Sequence, residues 1–283
     1  MLRFISASGR EILRAVFYQW KLPIMTDYTN PNFSLDLSGQ VAMVTGATAG
    51  LGRRFAIVLA ACGAKVAITG RRVERLQALA EEIRADGGVC EPIAMDMTDR
   101  EQIRTGAKQA AEKLGTITIL VNNAGIPDAQ RAVKIDDDLF DRVMDTNLEG
   151  PWILSCEVAR RLIEEKRAGR IVNIASIAAF TTGPDMAAAL YATTKAAVVR
   201  MTEAMAVEWS RFPINVNAIA PGAFASEMMD GMMERVGDIS QYFPRKRLCD
   251  PAQMDSTLLY LVSPSSECVT GTCIKIDDGQ GTR

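Results

Sequence analysis

The sequence predicts an α/β fold: a single doubly wound domain built on a parallel sheet of seven strands. Three observations point there. From Val41 onward, short aliphatic runs alternate with helix-length amphipathic stretches, the pattern of repeated strand–helix–strand units. The first run passes into a glycine-rich turn, Thr45-Gly46-Ala47-Thr48-Ala49-Gly50-Leu51-Gly52, which hands the chain to a helix. With 283 residues, 48% hydrophobic and 23% charged, the chain can bury a large core, and no internal repeat or low-complexity linker divides it.

Taken in order, strands are expected at 41–45, 65–69, 89–94, 117–121, 170–175, 214–219 and 272–276, each an aliphatic or β-branched run of strand length. Helices are expected between them at 50–62, 73–86, 99–114, 137–165 and 189–212, and Gly150-Pro151 predicts a break in the fourth. Residues 223–250 carry four clustered methionines and little periodicity, which reads as a mobile lid rather than scaffold. Residues 33–283 are expected to form the domain and residues 1–32 an extension. Within that extension, residues 1–24 hold Arg3, Arg10, Arg14 and Lys21 against Glu11, among apolar residues such as Ile12, Phe17 and Trp20. Basic amphipathic composition suits an organelle transit peptide, a membrane-surface anchor or an oligomer contact, and an upstream start codon ahead of Met25 accounts for it equally.

Composition excludes several classes of function. The chain has 34 acidic and 32 basic residues, a net charge of −2, so no field of one sign is available to hold nucleic acid or an anionic membrane. Histidine is absent, which removes the Ser-His-Asp triad, the Cys-His nucleophile pair and imidazole-based metal sites, and no metal site is expected. Six scattered cysteines without a Cys-x-x-Cys pair read as small buried hydrophobes in a reducing, cytoplasmic setting. No apolar run reaches the roughly 18 residues that a transmembrane helix needs.

A glycine-rich turn between strand and helix sets free backbone N–H groups and the positive helix end against a phosphate, and its glycines let the backbone come close. With Asn122-Asn123-Ala124-Gly125 after the fourth strand and Tyr191-Ala-Thr-Thr-Lys195 further on, it resembles the short-chain dehydrogenase/reductase family in motif order and spacing. The resemblance covers residues 36–280 and takes in Asn147, Ser176 after the fifth strand and Pro221-Gly222 after the sixth. It implies a Rossmann-type sheet binding NAD(H) or NADP(H). It also assigns cofactor contacts to Gly46, Thr48, Gly50, Leu51 and Gly52, to Asp96 and Met97 beside adenine, and to Asn123, Ala124 and Gly125 near the adenine ribose. Tyr191, Lys195, Pro221, Gly222 and Ser226 are assigned to the nicotinamide end, Ser226 standing where the family often has threonine. Cofactor choice is a question of charge at the end of the second strand. An acidic residue there would accept hydrogen bonds from a ribose 2′-hydroxyl, but the chain reads Ile68-Thr69-Gly70-Arg71-Arg72. Two guanidinium groups suit a 2′-phosphate, so NADP(H) is favoured, with NAD(H) as the alternative.

On a helix, Tyr191 and Lys195 lie one turn apart on a common face. A phenol with a pKa of about 10 is a poor base at neutral pH, and a nearby ammonium lowers it, which makes Tyr191 an acid–base group in a chain without histidine. The resemblance makes Ser176 the partner of the substrate oxygen and Asn147 the holder of a proton-relay water. Ser176 precedes Tyr191 by fifteen residues where relatives commonly have thirteen, an insertion expected to reshape one pocket wall. Candidate pocket residues are Ala178, Phe180, Met186, Ala223, Phe224, Met228, Met229, Met232 and Met233, an apolar lining suited to a hydrophobic ketone or secondary alcohol. Arg245-Lys246-Arg247 is a solvated turn or a contact for an acyl-carrier phosphate. The expected reaction is reversible hydride transfer, as a carbonyl reductase of hydrophobic or 3-oxoacyl substrates. The alternatives are an NAD-dependent alcohol dehydrogenase and a non-catalytic dinucleotide sensor. The resemblance further implies a homo-oligomer, tetramer or dimer, paired through the helices near 150–165 and 189–212.

Overall fold

The computed structural model describes residues 32–183 and 187–281. The segment 1–24 and the pocket candidate Met186 lie outside the described residues. Seven strands form one parallel sheet: β1 (Val41–Thr45), β2 (Lys65–Gly70), β3 (Val89–Ala94), β4 (Ile119–Asn122), β5 (Gly169–Ile174), β6 (Ile214–Pro221) and β7 (Cys273–Ile276). Their order across the sheet is β3-β2-β1-β4-β5-β6-β7. The order reverses between β1 and β4, and a ligand crevice opens at the carboxyl ends of strands at such a switch point. Every residue of β1, β4, β5 and β6 is buried; β1 reads as a nearly continuous apolar run, whereas β5 and β6 are interrupted by the buried Arg170, Asn173, Asn215 and Asn217.

Eight α-helices are found among the described residues: α1 (Gly50–Ala61), α2 (Val73–Ala85), α3 (Arg100–Leu114), α4 (Asp137–Met144), α5 (Gly150–Glu164), α6 (Ala189–Trp209), α7 (Glu227–Val236) and α8 (Asp255–Val262). Phe55 and Leu59 of α1, Leu76 of α2 and Leu258 and Leu261 of α8 pack on one face of the sheet. Ile103 of α3, Leu154 and Leu162 of α5, and Val198, Met201 and Met205 of α6 pack on the other. The two apolar layers clamp the strands and leave only the sheet ends for polar chemistry. Asn122 at the end of β4 donates to Ser155 of α5 at 2.9 Å and to Asn173 of β5 at 2.8 Å, and Asn173 donates to Thr202 of α6 at 2.9 Å. Polar groups at this depth are tolerated because they pair with one another.

Three departures from the sequence expectations have local causes. The helical run from Asp137 does not break at Gly150-Pro151; it loosens five residues earlier into a π-helical stretch, Asp145–Glu149, and resumes as α5. Pro151 sits in the first turn of α5, where its missing N–H costs nothing, and a side chain on Gly150 would lie 2.5 Å from the Met97 carbonyl. Within the expected lid, residues 227–236 form a regular helix, capped by the Ser226 hydroxyl, which accepts from Met229 N–H at 3.2 Å. Helix α8 departs from the expectation of no helix there, because its four buried residues, Leu258, Leu259, Leu261 and Val262, fall within five positions after a polar first turn and show no 3.6-residue signal. All six cysteines are free thiols; burial pushes Cys90 up to about 12 and Cys273 to about 11, as for packing groups, but Cys268 is exposed and departs from the expectation of a buried hydrophobe. No helix among the described residues is long and apolar enough to cross a membrane.

Candidate active site

At the carboxyl end of β1 the chain turns through Gly46, whose φ of +65° lies in the left-handed region that suits glycine. A side chain on Gly46 would meet the Ala124 backbone at 2.9 Å, and one on Gly52 would meet Asn123 Nδ2 and the Gly46 carbonyl at 2.4 Å. The turn is therefore built against the loop that follows β4. Asn123 Nδ2 donates to the Thr45 carbonyl at 2.8 Å, and the backbone N–H groups of Asn123 and Ala124 both donate to Thr45 Oγ1 at 3.0 Å. Asn123 and Ala124, expected near the adenine ribose, thus spend these polar groups shaping the turn. Helix α1 begins here without a side-chain cap, since its N-cap is Ala49, and its first turn holds no acidic residue. Leu51 packs into the core behind the turn. Gly50 faces Ser226 across a narrow gap, its absent side chain falling 3.2 Å from Ser226 Cβ. An uncapped, positive helix end in a glycine cradle fits the diphosphate of a dinucleotide.

The adenine end holds more charge than the sequence reading allowed. Arg71 is 66% exposed along its side chain and lies 3.8 Å from Asp96, whose Oδ1 is occupied by Thr98 N–H and Oγ1. Arg72 is not free. It donates to Thr48 Oγ1 at 2.6 and 3.1 Å and to Glu227 Oε2 at 2.8 Å, and Arg75 pairs with the same carboxylate. These two guanidinium groups hold the Glu227 carboxyl below its ordinary range. The first residue of α7 thus latches onto the start of α2 beside the glycine turn. The Met97 side chain is packed into the core, at 6% exposure, which leaves its backbone as the part that can meet a ligand.

Helix α6 brings Tyr191 and Lys195 together as expected, with the ammonium 5.6 Å from the centre of the phenol ring. Lys195 Nζ is buried and donates to the Ile174 carbonyl, the last of β5, at 2.8 Å. Gly125 makes room for it, since a side chain there would stand 3.3 Å from Nζ and 3.4 Å from Asn147 Oδ1. Burial lowers Lys195 to about 8. Burial also pushes the Tyr191 phenol up, opposed by hydrogen bonding with Ser176 and reinforced by the charge of Asp128. The direction is opposite to the ammonium-driven lowering expected for Tyr191, because desolvation of a buried pair drives each member toward its neutral form. Ser176 follows β5 and caps a short turn, Ile177–Ala179, by accepting from Ala178 N–H at 3.1 Å. Asn147 lies in the π-helical stretch and clamps the loop after β4. Its Oδ1 accepts from Ile126 N–H at 2.8 Å, and its Nδ2 donates to the Ile126 carbonyl at 2.9 Å and to Thr194 Oγ1 at 3.2 Å. Asp128, two residues further on, reaches α6 and was missed by the sequence reading, because a lone aspartate in a loop carries no spacing signal.

Around the remaining wall, Ala178 is half-buried and Phe180 is 41% exposed with the Lys275 ammonium 4.4 Å above its ring. Met228 is exposed, Met229 half-buried, and no residue of α7 is buried, so the methionine face of this helix is open. Phe224 differs from expectation: it is packed into the core cluster and does not stand in a pocket wall. Pro221 ends β6, and a side chain on Gly222 would lie 2.4 Å from Gln280 Oε1, which accepts from Ala223 N–H at 2.7 Å. Arg245 and Arg247 are paired with Asp278, at 3.0 and 2.8 Å, so this basic turn is closed on the chain's own carboxylate. No group of potential metal ligands is found among the described residues.

Comparison with known proteins agrees with this geometry. A family model described as short chain dehydrogenase matches residues 40–236. The 3-oxoacyl-acyl-carrier-protein reductase FabG of Thermotoga maritima is 33% identical over 244 residues, covering 86% of this chain and 98% of that protein. Galactitol 2-dehydrogenase (L-tagatose-forming) of Cereibacter sphaeroides is 34% identical over 246 residues, covering 86% and 95%. Among solved structures, a short-chain type dehydrogenase/reductase from Mycobacterium marinum superposes with a TM-score of 0.83 at 34% identity, covering 88% of this chain and 98% of that one. With the fold, the glycine cradle and the Tyr191–Lys195 pair in place, the chain belongs to the short-chain dehydrogenase/reductase family, oxidoreductases of CH–OH and C=O groups that bind NAD(P)(H).

Proposed function

We propose that this protein is an NADP(H)-dependent carbonyl reductase of hydrophobic ketones or 3-oxoacyl groups, working reversibly on the corresponding secondary alcohols. The observation that carries the reading is the pair of half-buried Tyr191 and buried Lys195 beside Ser176 at the carboxyl end of β5, joined through Gly125 and Asn123 to the glycine cradle. When bound, the dinucleotide supplies the hydride for reduction. Gly46, Thr48, Gly50, Leu51 and Gly52 would hold its diphosphate, with Asp96, the backbone of Met97 and Gly125 toward the adenosine half and Pro221, Gly222 and Ser226 toward the nicotinamide half. Tyr191 gives its proton to the substrate oxygen as the carbonyl carbon is reduced, and Ser176 donates a hydrogen bond to the same oxygen. A phenol that burial keeps protonated is suited to this acid role. Lys195 sets a positive charge against the phenolate left behind, and Asn147 maintains the relay that returns a proton from solvent.

Arg71 and Arg72 after β2, with no acidic residue between Ile68 and Arg72, support the choice of NADP(H). NAD(H) stays the second reading, because Glu227 occupies Arg72 and Arg75. The open methionines of α7 support an apolar substrate. Trp152 on α5 and Val207 on α6, at 50% and 76% exposure, support pairing of these helices in a homo-oligomer. The test is NADPH oxidation with a panel of ketones. Tyr191→Phe is expected to reduce turnover by roughly 10²- to 10⁴-fold while leaving the dinucleotide dissociation constant within about twofold. Near-full turnover in this variant overturns the reading, and binding without turnover in the wild type makes the protein a sensor.

A further inference from the structure

We propose that Asp128 is a positioning residue for Tyr191, fixing the amino end of α6 to the loop that follows β4. Its carboxylate Oδ2 accepts from the backbone N–H groups of Leu190 and Tyr191, at 2.9 and 3.1 Å, and Oδ1 accepts from Ala129 N–H at 2.6 Å. The side chain is buried, with Asp128 at 4% exposure.

The first N–H groups of any helix lack intrahelical partners, and a neighbouring side chain usually supplies them. Here the local candidate is Ala188, which cannot, so α6 borrows its cap from a residue 62 positions earlier in the chain. One of the two captured N–H groups belongs to Tyr191 itself. The same loop is held at Ile126 by Asn147, so Asn147 and Asp128 act in series on a five-residue span, 122–126, and its continuation to 128. A carboxylate at a helix amino end is electrostatically favourable, and held on the Tyr191 backbone its negative charge also acts to raise the phenol. Three groups act on that phenol: Asp128 from the loop after β4, Ser176 from the turn after β5, and Lys195 from α6. Burial is the larger influence opposing loss of the proton, and Asp128 adds to it. Nothing in this assignment requires the carboxylate to touch substrate.

The inference rests on reading Tyr191 as the proton donor, and its test is independent of turnover. Wild type, Asp128→Asn and Asp128→Ala are each titrated by near-ultraviolet tyrosinate absorbance, subtracting the corresponding chain that also carries Tyr191→Phe. Amide hydrogen exchange of residues 189–192 is followed in the same proteins. Asparagine caps helices about as well as aspartate but carries no charge, so Asp128→Asn is expected to keep the Leu190 and Tyr191 amides protected and to move Tyr191 ionisation to lower pH. Asp128→Ala is expected to lose that protection as well and to melt roughly 2–4 °C lower. Unchanged Tyr191 ionisation in Asp128→Asn overturns the electrostatic half, and protected amides in Asp128→Ala overturn the anchoring half. A fully active Tyr191→Phe chain would instead remove the catalytic reading and leave both of these results standing.

Discussion

Lys195 is a cation taken out of water and given one carbonyl, that of Ile174, as its hydrogen-bond partner. Burial lowers it from an ordinary 10.5 to about 8, so the folded protein releases this proton before the unfolded chain does. Between those two values the unfolded state binds more protons, and this residue's contribution to stability therefore rises with pH across that window. Melting temperatures of the dinucleotide-free protein and of Lys195→Met, measured from neutral pH to the upper end of the window, should diverge in favour of the wild type as pH rises. Parallel curves would mean that Lys195 keeps its proton. The sequence reading found Tyr191, Lys195 and Ser176 because each sits in a spaced motif. It missed Asp128, whose role depends on a contact between residues 62 positions apart, and spacing carries no information about the burial that pushes the Tyr191 phenol up.

Helix α7 is the element whose role changed most between sequence and structure. Residues 223–250 show weak periodicity because no residue of α7 is buried, so no core face disciplines its pattern. What fixes the helix is its first turn, where Ser226 caps it and Glu227 binds Arg72 and Arg75. A 2′-phosphate seeking Arg72 must compete with that carboxylate. Glu227→Gln is expected to raise affinity for NADP(H) relative to NAD(H) by roughly 1.5- to 5-fold, the range of an exposed ion pair worth about 0.2–1 kcal/mol. Fluorescence titration with both reduced dinucleotides reads this ratio, and an unchanged ratio removes Glu227 from cofactor choice. Helix α8 was illegible for a different reason: its buried residues, Leu258, Leu259, Leu261 and Val262, fall within five positions after a polar first turn, too short a run to show a helical period.

Across the whole molecule, the alternation of strands and helices was legible because both faces of the sheet are covered, which forces aliphatic runs into the strands and apolar stripes into the helices. The strand order brings the glycine turn after β1 beside the loop after β4. Charge contacts between distant surface segments, such as Arg247 with Asp278, leave no periodic trace and emerge only in three dimensions. Exposure of Trp152 and Val207 on α5 and α6 also belongs to this scale. Replacing both with glutamate should shift the mass measured by light scattering from an oligomer to a monomer, while an unchanged mass would place the contact elsewhere. The central claim, proton donation by Tyr191 during reduction of a carbonyl, is tested most directly with NADPH deuterated at the transferable position and a 3-oxoacyl thioester. Wild type should place deuterium on the carbinol carbon, and Tyr191→Phe should do so roughly 10²- to 10⁴-fold more slowly. Deuterium transfer at an equal rate in the two proteins would contradict the account.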